Sequence, residues 1–318
     1  MIAILNRHDA ADGSAKYLLQ LDDGRLVEAV YLYEAQQRSF GICLSTQVGC
    51  GMGCVFCATA RQGLQRNLST SEIVEQARVI ALDNPRRVPF RYVSLAGMGE
   101  PLDNFESSIA ALKELRDQNG GSLTEVSLST IGNAIHLARL VDDPEATFRI
   151  YLSLHSPTDQ LRGRLIPGSR RGRLGEAPQR AANLVNLMDL YGRKLGDRWK
   201  ARISYLLLKD INDSSTHLEE LGSLLEGRMV SVQLLFWNAI ERAKVRLDGV
   251  ALPVARVGQD VGREWLNALA KKGIAAYAMP SYGGEVLGGC GQLSTKNKSL
   301  AIQPVTDQQS GRAAQVPA

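Results

Sequence analysis

Two hydrophobic periods alternate along this chain, and that alternation restricts the fold more than any other feature. Short aliphatic and β-branched runs recur at 41–45, 92–96, 125–129, 148–154, 202–208, 230–236 and 275–278. Between most of them, apolar residues are spaced three and four apart, at 71–82, 105–117, 134–141, 177–191, 216–225 and 260–272. Strands that alternate with helices join as crossover units, which lay the strands parallel and cover them with helices. The spacing predicts an α/β chain forming an open or partial barrel of six or so βα units. Ser69 and Glu72 carry the spacing of a capping box ahead of the first helix. Upstream, residues 16–33 alternate around Asp22-Asp23-Gly24, which predicts a hairpin turning at Asp23-Gly24.

Composition adds bounds. With 318 residues and 44% hydrophobic content, the chain has ample material for a large buried core. Residues 1–40 are expected to form a small β extension, 41–293 the main α/β unit, and 294–318 a polar, disordered tail. The net charge of +4 permits a polyanionic partner without requiring one. No stretch approaches the ~18 apolar residues of a membrane span. The N-terminal residues lack a signal-peptide profile. A cytoplasmic setting is therefore expected, where the five cysteines serve as metal ligands or catalysts rather than disulfides.

In parallel barrels, chemistry gathers where strands end. The unusual polar residues of this chain fall at such places. Gly97-Met98-Gly99-Glu100-Pro101 follows one run, Ser129-Thr130-Ile131-Gly132 closes the next, His155-Ser156 follows a third and Asn238 a later one. These ends are expected to face one cavity.

Four of the cysteines lie between positions 43 and 57, and the fifth is Cys290. Cys50-Gly-Met-Gly-Cys54-Val-Phe-Cys57 is a C-x3-C-x2-C loop whose glycines let the backbone wrap a bulky ligand. Thiolates suit iron–sulfur clusters and zinc. Three thiolates on a four-iron cluster leave one iron open for chemistry, provided Cys43 and Cys290 are not ligands. The competing reading is a zinc site completed by Cys43 or a histidine, in an RNA-binding module without catalysis. The paired C-x2-C spacing of such sites is absent. Cys43 lies in a strand-like run and also suits a buried core thiol.

The three cysteines, with Phe56 before the last, resemble the signature of the radical S-adenosylmethionine (SAM) superfamily. The match extends through Cys43-Leu-Ser-Thr-Gln-Val-Gly-Cys50, Phe56-Cys57-Ala-Thr-Ala-Arg-Gln-Gly63, Gly97-Met-Gly-Glu-Pro101, Ser153-Leu-His-Ser156, Leu161-Arg162 with Leu165-Ile-Pro167, and Cys290-Gly-Gln-Leu293. Together these resemble the RlmN/Cfr family, from about residue 28 to 293. The resemblance implies a partial (β/α)6 barrel of the radical SAM type with a small N-terminal β-hairpin extension. It implies methylation of an adenine carbon, carbon-2 or carbon-8, in ribosomal or transfer RNA. The implied cofactors are one [4Fe-4S] cluster on Cys50, Cys54 and Cys57, and SAM.

Residue roles follow from the same resemblance. Cys290 would take a methyl group from one SAM, and a radical derived from a second SAM would abstract hydrogen from it. The sulfur-bound methylene would then add to the adenine carbon. Glu28 would remove the ring proton. Cys43 would release the product through a transient disulfide with Cys290. Gly99, Glu100, Ser129, Ser153, Leu154, His155 and Asn238 would contact SAM. Expected partners are the RNA and an electron donor such as flavodoxin or ferredoxin, with the enzyme a cytoplasmic monomer and no membrane involved. Two features depart from the family. Only a hairpin-like segment precedes Cys43, where a longer helical domain is usual, and Asn238 lacks flanking prolines. Arg61, Arg66, Arg86, Arg87, Arg162, Arg164, Arg170, Arg171 and Arg173 are candidate phosphate contacts. An alternative substrate is a peptide or small molecule.

Overall fold

The N-terminal strands β1 (Ala3–Asp9), β2 (Ala15–Gln20), β3 (Leu26–Glu34) and β4 (Ser39–Cys43) run antiparallel in sequence order. A separate two-stranded ribbon follows, β5 (Gln47–Cys50) with β6 (Gly63–Asn67). Beyond β4 the large sheet continues in parallel through β7 (Phe90–Leu95), β8 (Glu125–Thr130), β9 (Arg149–Ser153), β10 (Ala201–Leu207) and β11 (Ser231–Phe236). A short ribbon, β12 (Val245–Leu247) with β13 (Val250–Leu252), precedes the last parallel strand, β14 (Ala275–Ala278). This computed structural model describes residues 2–34, 39–84, 90–118, 125–170, 180–237, 245–247, 250–252, 257–279, 286, 288 and 291–295.

The helices are α1 (Thr70–Asp83), α2 (Phe105–Gln118), α3 (Ala134–Asp142), α4 (Asp159–Leu165), α5 (Ala181–Leu195), α6 (Ser215–Leu225) and α7 (Gln259–Lys271). All but the short α4 lie in crossovers anticipated from the sequence. The parallel strands are the seven anticipated runs, so the partial (β/α)6 barrel is present. The hairpin is present as well. β2 and β3 pair through a turn in which Gly24 takes φ +78° and Leu21 N–H donates to Arg25 O at 2.8 Å. The sequence did not announce β1, the two short ribbons or α4. Each is short or irregular in pattern, so periodicity carries little signal there. No helix among the described residues is long and apolar enough to cross a membrane. The polar tail lies outside the described residues from 296 onward.

Strand parity divides the sheet chemically. Ile42, Val93, Val126, Leu128, Ile150, Leu152, Ile203, Tyr205, Val232 and Leu234 are buried in one continuous core. Residues of opposite parity are mostly small and polar. Cys43 is paired with Ser94, Ser94 with Ser127, Ser153 with Ser204 and Ser204 with Gln233. Directly opposed residues share a face, so these side chains line the inner surface. The N-terminal end of this inner face is filled by Arg202, whose guanidinium lies 5.4, 5.5 and 4.9 Å from the rings of Tyr151, Trp199 and Tyr277.

The capping box of α1 is formed: Glu72 N–H donates to Ser69 Oγ at 3.2 Å, and Ser69 N–H donates to Glu72 Oε2 at 2.9 Å. Replacing Ser69 with Ala removes one acceptor from an exposed helix end. Urea unfolding should show a loss of about 1 kcal/mol with an unchanged slope.

Candidate active site

The C-x3-C-x2-C loop is carried by the β5–β6 ribbon, in which Cys50 pairs with Gly63. Its far side is sewn to the segment after α4. Val55 N–H donates to Leu165 O at 3.0 Å, and Gly168 N–H donates to Met52 O at 2.7 Å. Leu165, Ile166, Leu206 and Leu208 form a small apolar cluster with Cys54, Val55 and Phe56 packed against it. The Leu165-Ile-Pro167 motif thus supports the cysteine loop from below.

Burial pushes the Cys50 thiol up to about 12, and the nearby Cys57 adds to the shift. Burial, then Cys57 and Cys50, also raise Cys54. Two buried thiols whose ionisation is opposed by their apolar setting, with Cys57 beside them, suit a cationic core that would stabilise thiolates. Among the described residues, no group of three His, Cys, Asp or Glu side chains is arranged to hold a single metal ion. Three soft donors on a glycine-containing loop fit an iron–sulfur cluster.

The loop after β7 is held against this ribbon. Met98 O accepts from Thr46 N–H at 2.8 Å and Gln47 N–H at 3.2 Å, and Glu100 N–H donates to Gln47 Oε1 at 2.9 Å. Gly99 has φ +110°, and a Cβ there would lie 2.6 Å from Thr46 Oγ1, so glycine is required on both counts. The buried Glu100 carboxylate accepts from Thr130 Oγ1 at 2.5 Å, Ile131 N–H at 2.8 Å and Leu102 N–H at 2.9 Å. Burial nevertheless raises it to about 7. The ends of β7 and β8 are therefore joined through one carboxylate.

At the end of β9, His155 adopts φ +57°, a left-handed conformation uncommon outside glycine. Asn212 holds it there. The fully buried Asn212 amide donates to His155 O at 2.8 Å and Leu206 O at 2.7 Å, and accepts from Leu208 N–H at 2.7 Å. His155 Nδ1 accepts from Leu206 N–H at 3.0 Å. The ring is thus neutral with its proton on Nε2, and burial, with the nearby Arg162 charge, lowers it to about 3. It lies edge-on to Phe56, with centroids 5.1 Å apart. His155 is a fixed hydrogen-bond donor here, not a titrating base.

Glu28 and the segment 291–295 complete the site. Glu28 is buried on β3, and its Oε2 accepts from Ser294 N–H at 2.7 Å. Ser45 Oγ donates to Glu28 O at 2.6 Å and accepts from Met98 N–H at 2.8 Å, tying Glu28 to the 97–101 loop. On its other side the segment meets the cysteine loop. Ala58 N–H donates to Gly291 O at 2.7 Å, and Thr59 Oγ1 donates to Leu293 O at 2.7 Å. Gly291 has φ +77°, and a Cβ there would come within 3.1 Å of Phe56 O.

Most sequence-designated residues thus fall at the strand ends or along the inner face. Half-buried Cys43 pairs with Val30 and Ser94, two residues in register from Glu28. Ser129 and Ser153 are inner-face residues near the ends of β8 and β9. Leu154 is different: its side chain is fully buried in the main core, leaving only its backbone for a ligand. Asn238 and Cys290 lie outside the described residues.

Among the described residues, two of the candidate phosphate contacts are otherwise placed. Arg66 is committed to Asp23 at 2.7 Å and Glu72 at 2.8 Å. Arg162 is 1% exposed, donates to Ile131 O and lies near Cys54 and Glu100. Neither is placed to meet phosphates. Arg86, Arg87, Arg171 and Arg173 lie outside the described residues. Sequence reasoning did not single out Lys16, Gln47 or Asn212. Their signal is burial of a polar side chain, which no local pattern reveals.

Residues 44–189 match the Radical SAM superfamily. A probable dual-specificity RNA methyltransferase RlmN 1 of Opitutus terrae is 34% identical over 95% of this chain and 81% of its own length. A probable RNA methyltransferase of Thiobacillus denitrificans is 36% identical over 98% of this chain and 78% of its own. Among solved structures, a radical SAM methyltransferase from Sphaerobacter thermophilus superposes with a TM-score of 0.77 at 29% identity, covering 92% of this chain and 81% of that one. The chain belongs to the RlmN-like family of the radical SAM superfamily, whose cofactors are a [4Fe-4S] cluster and SAM.

Proposed function

We propose that this protein methylates an adenine carbon, carbon-2 or carbon-8, in ribosomal or transfer RNA, through a methyl group carried on Cys290. One observation carries this reading. The segment that follows Cys290 in the chain is bonded on one side to the cysteine loop, at Ala58, and on the other to Glu28. The names of the relatives support an RNA substrate.

Cys50, Cys54 and Cys57 would hold the cluster, which together with SAM would supply radical chemistry at this site. Gly99, Glu100, Ser129, Ser153, the Leu154 backbone, His155 and Asn238 position SAM. The Nε2–H of His155 and the Glu100 carboxylate offer one donor and one acceptor from rigid strand ends, which suits a ligand with both kinds of group. Cys290 carries the methyl group, and once one of its C–H bonds is broken the methylene carbon on the Cys290 sulfur bonds to the base carbon. Glu28 takes the proton from that carbon. Cys43 then attacks the Cys290 sulfur, forming a disulfide as the sulfur–carbon bond breaks; the released carbon keeps that electron pair and takes up a proton to become the product methyl group, and exchange with an external thiol restores both cysteines. An aromatic carbon is too weakly nucleophilic for direct transfer from SAM, which explains a route through sulfur.

Arg61, Arg170, Arg171 and Arg173 contribute phosphate contacts, and the target adenine is unstacked to reach the site. Residues 1–40 act as an extension of the catalytic unit 41–293. The protein works as a cytoplasmic monomer and takes electrons from a flavodoxin or ferredoxin.

Cys290→Ala should retain iron and its cluster spectrum while losing methyl transfer to RNA. The assay is mass spectrometry of nucleosides after incubation with bulk RNA from cells lacking the gene. Methylated adenosine at the wild-type level from that variant would overturn the proposal. Glu28→Gln should form the methylated Cys290 normally yet slow product formation by about 100-fold or more. Unchanged turnover would remove Glu28 from the mechanism.

A further inference from the structure

Glu28 shares its burial with a lysine that the mechanism above does not use. Lys16, on β2, is 2% exposed, and its Nζ lies 3.1 Å from Glu28 Oε1. In the β2–β3 register, Leu18 opposes Glu28 and Lys16 opposes Val30, which is also the partner of Cys43. Lys16, Glu28 and Cys43 therefore share the inner face of the sheet. Glu28 thus meets Lys16 through one oxygen and Ser294 N–H through the other.

Among the described residues, each element packed against the pair contributes a group. From β1, His8 opposes Lys16, and burial followed by the Lys16 charge lowers its pKa. From β4 comes Cys43. The 97–101 loop contributes the Met98 sulfur, which accepts from Glu28 N–H at 3.2 Å. The 291–295 segment contributes an uncharged backbone N–H. Among these groups, Lys16 is the cation that acts on the carboxylate. Burial pushes Glu28 up, and Lys16 is the largest influence in the opposite direction. A carboxylate this buried and lacking a counter-charge would hold its own proton and could not accept one.

We propose that Lys16 is a positioning residue for proton abstraction, its ammonium keeping Glu28 ionised and fixing Oε1 so that the carboxylate is ready to accept the ring proton. The inference rests on Glu28 being the base. In the step itself, the carbon–hydrogen bond of the target carbon breaks, its electron pair stays with the ring and the proton passes to Glu28.

The test is the pH dependence of product formation by the cluster-loaded enzyme with bulk RNA from cells lacking the gene. Lys16→Met removes the charge that lowers Glu28, so Glu28 ionises at higher pH. The acidic limb of the profile should move up by about 1–3 pH units, with activity recovering on the alkaline side. A purely structural lysine would instead depress the rate equally at every pH. If Lys16→Met fails to fold, Lys16→Gln keeps a hydrogen-bond donor without the charge and must show the same displacement. Lys16→Arg keeps the charge and should leave the limb in place. Glu28→Gln separates the two ideas. Normal turnover by that variant would overturn the base assignment itself. An inactive Glu28→Gln beside Lys16→Met and Lys16→Gln profiles that coincide with wild type would overturn the Lys16 inference alone.

Discussion

Everything at this site depends on the period of two in the sheet. Along the parallel strands one set of side chains must enter the core beneath the helices, and the alternate set must face inward. Ile150 and Leu152 of β9 take the first role and Tyr151 and Ser153 the second. A slip of one residue would drive serines into the core and leucines into the site. The burial of apolar side chains on one face therefore fixes where the polar groups on the other must be. No separate interaction is needed to aim Cys43, Ser94, Ser129 or Ser153.

On that frame, the loops are locked by backbone groups and buried polar side chains. Glu100 joins the ends of β7 and β8, and Asn212 holds the left-handed turn at His155. Ser45 ties Glu28 to the 97–101 loop. Each such group is buried and satisfied, so each costs more to disturb than an exposed hydrogen bond would. The result is rigid placement of donors and acceptors, which catalysis by positioning requires. The same burial sets charge states: it keeps the His155 ring neutral and sets the Glu28 carboxylate beside a buried ammonium.

The sequence revealed the parts whose signal is local. Seven strand runs, six crossover helices, the Ser69–Glu72 box and the Asp23-Gly24 turn follow from periodicity and cap chemistry, and all are present. The cysteine spacing and the glycine-rich 97–101 loop pointed to the site because such residues rarely cluster for packing alone. Long-range features were not legible. Lys16 looks like any strand lysine until β2 is placed beside β3. Asn212 reads as a turn residue until β10 closes on β9. Arg66 and Arg162 looked available for phosphates because the Asp23 partner of the first and the Ile131 carbonyl over the second come from distant segments. Leu154 could be recognised within its motif, yet its side chain turns into the core.

The central claim is that Cys50, Cys54 and Cys57 hold a cluster with one iron left for SAM. Anaerobic reconstitution, with iron and sulfide analysis and electron paramagnetic resonance of the reduced protein with and without SAM, tests it most directly. The account predicts about four irons per chain and a signal that changes when SAM is added. A protein that takes up zinc instead, or a cluster whose signal ignores SAM, would contradict it.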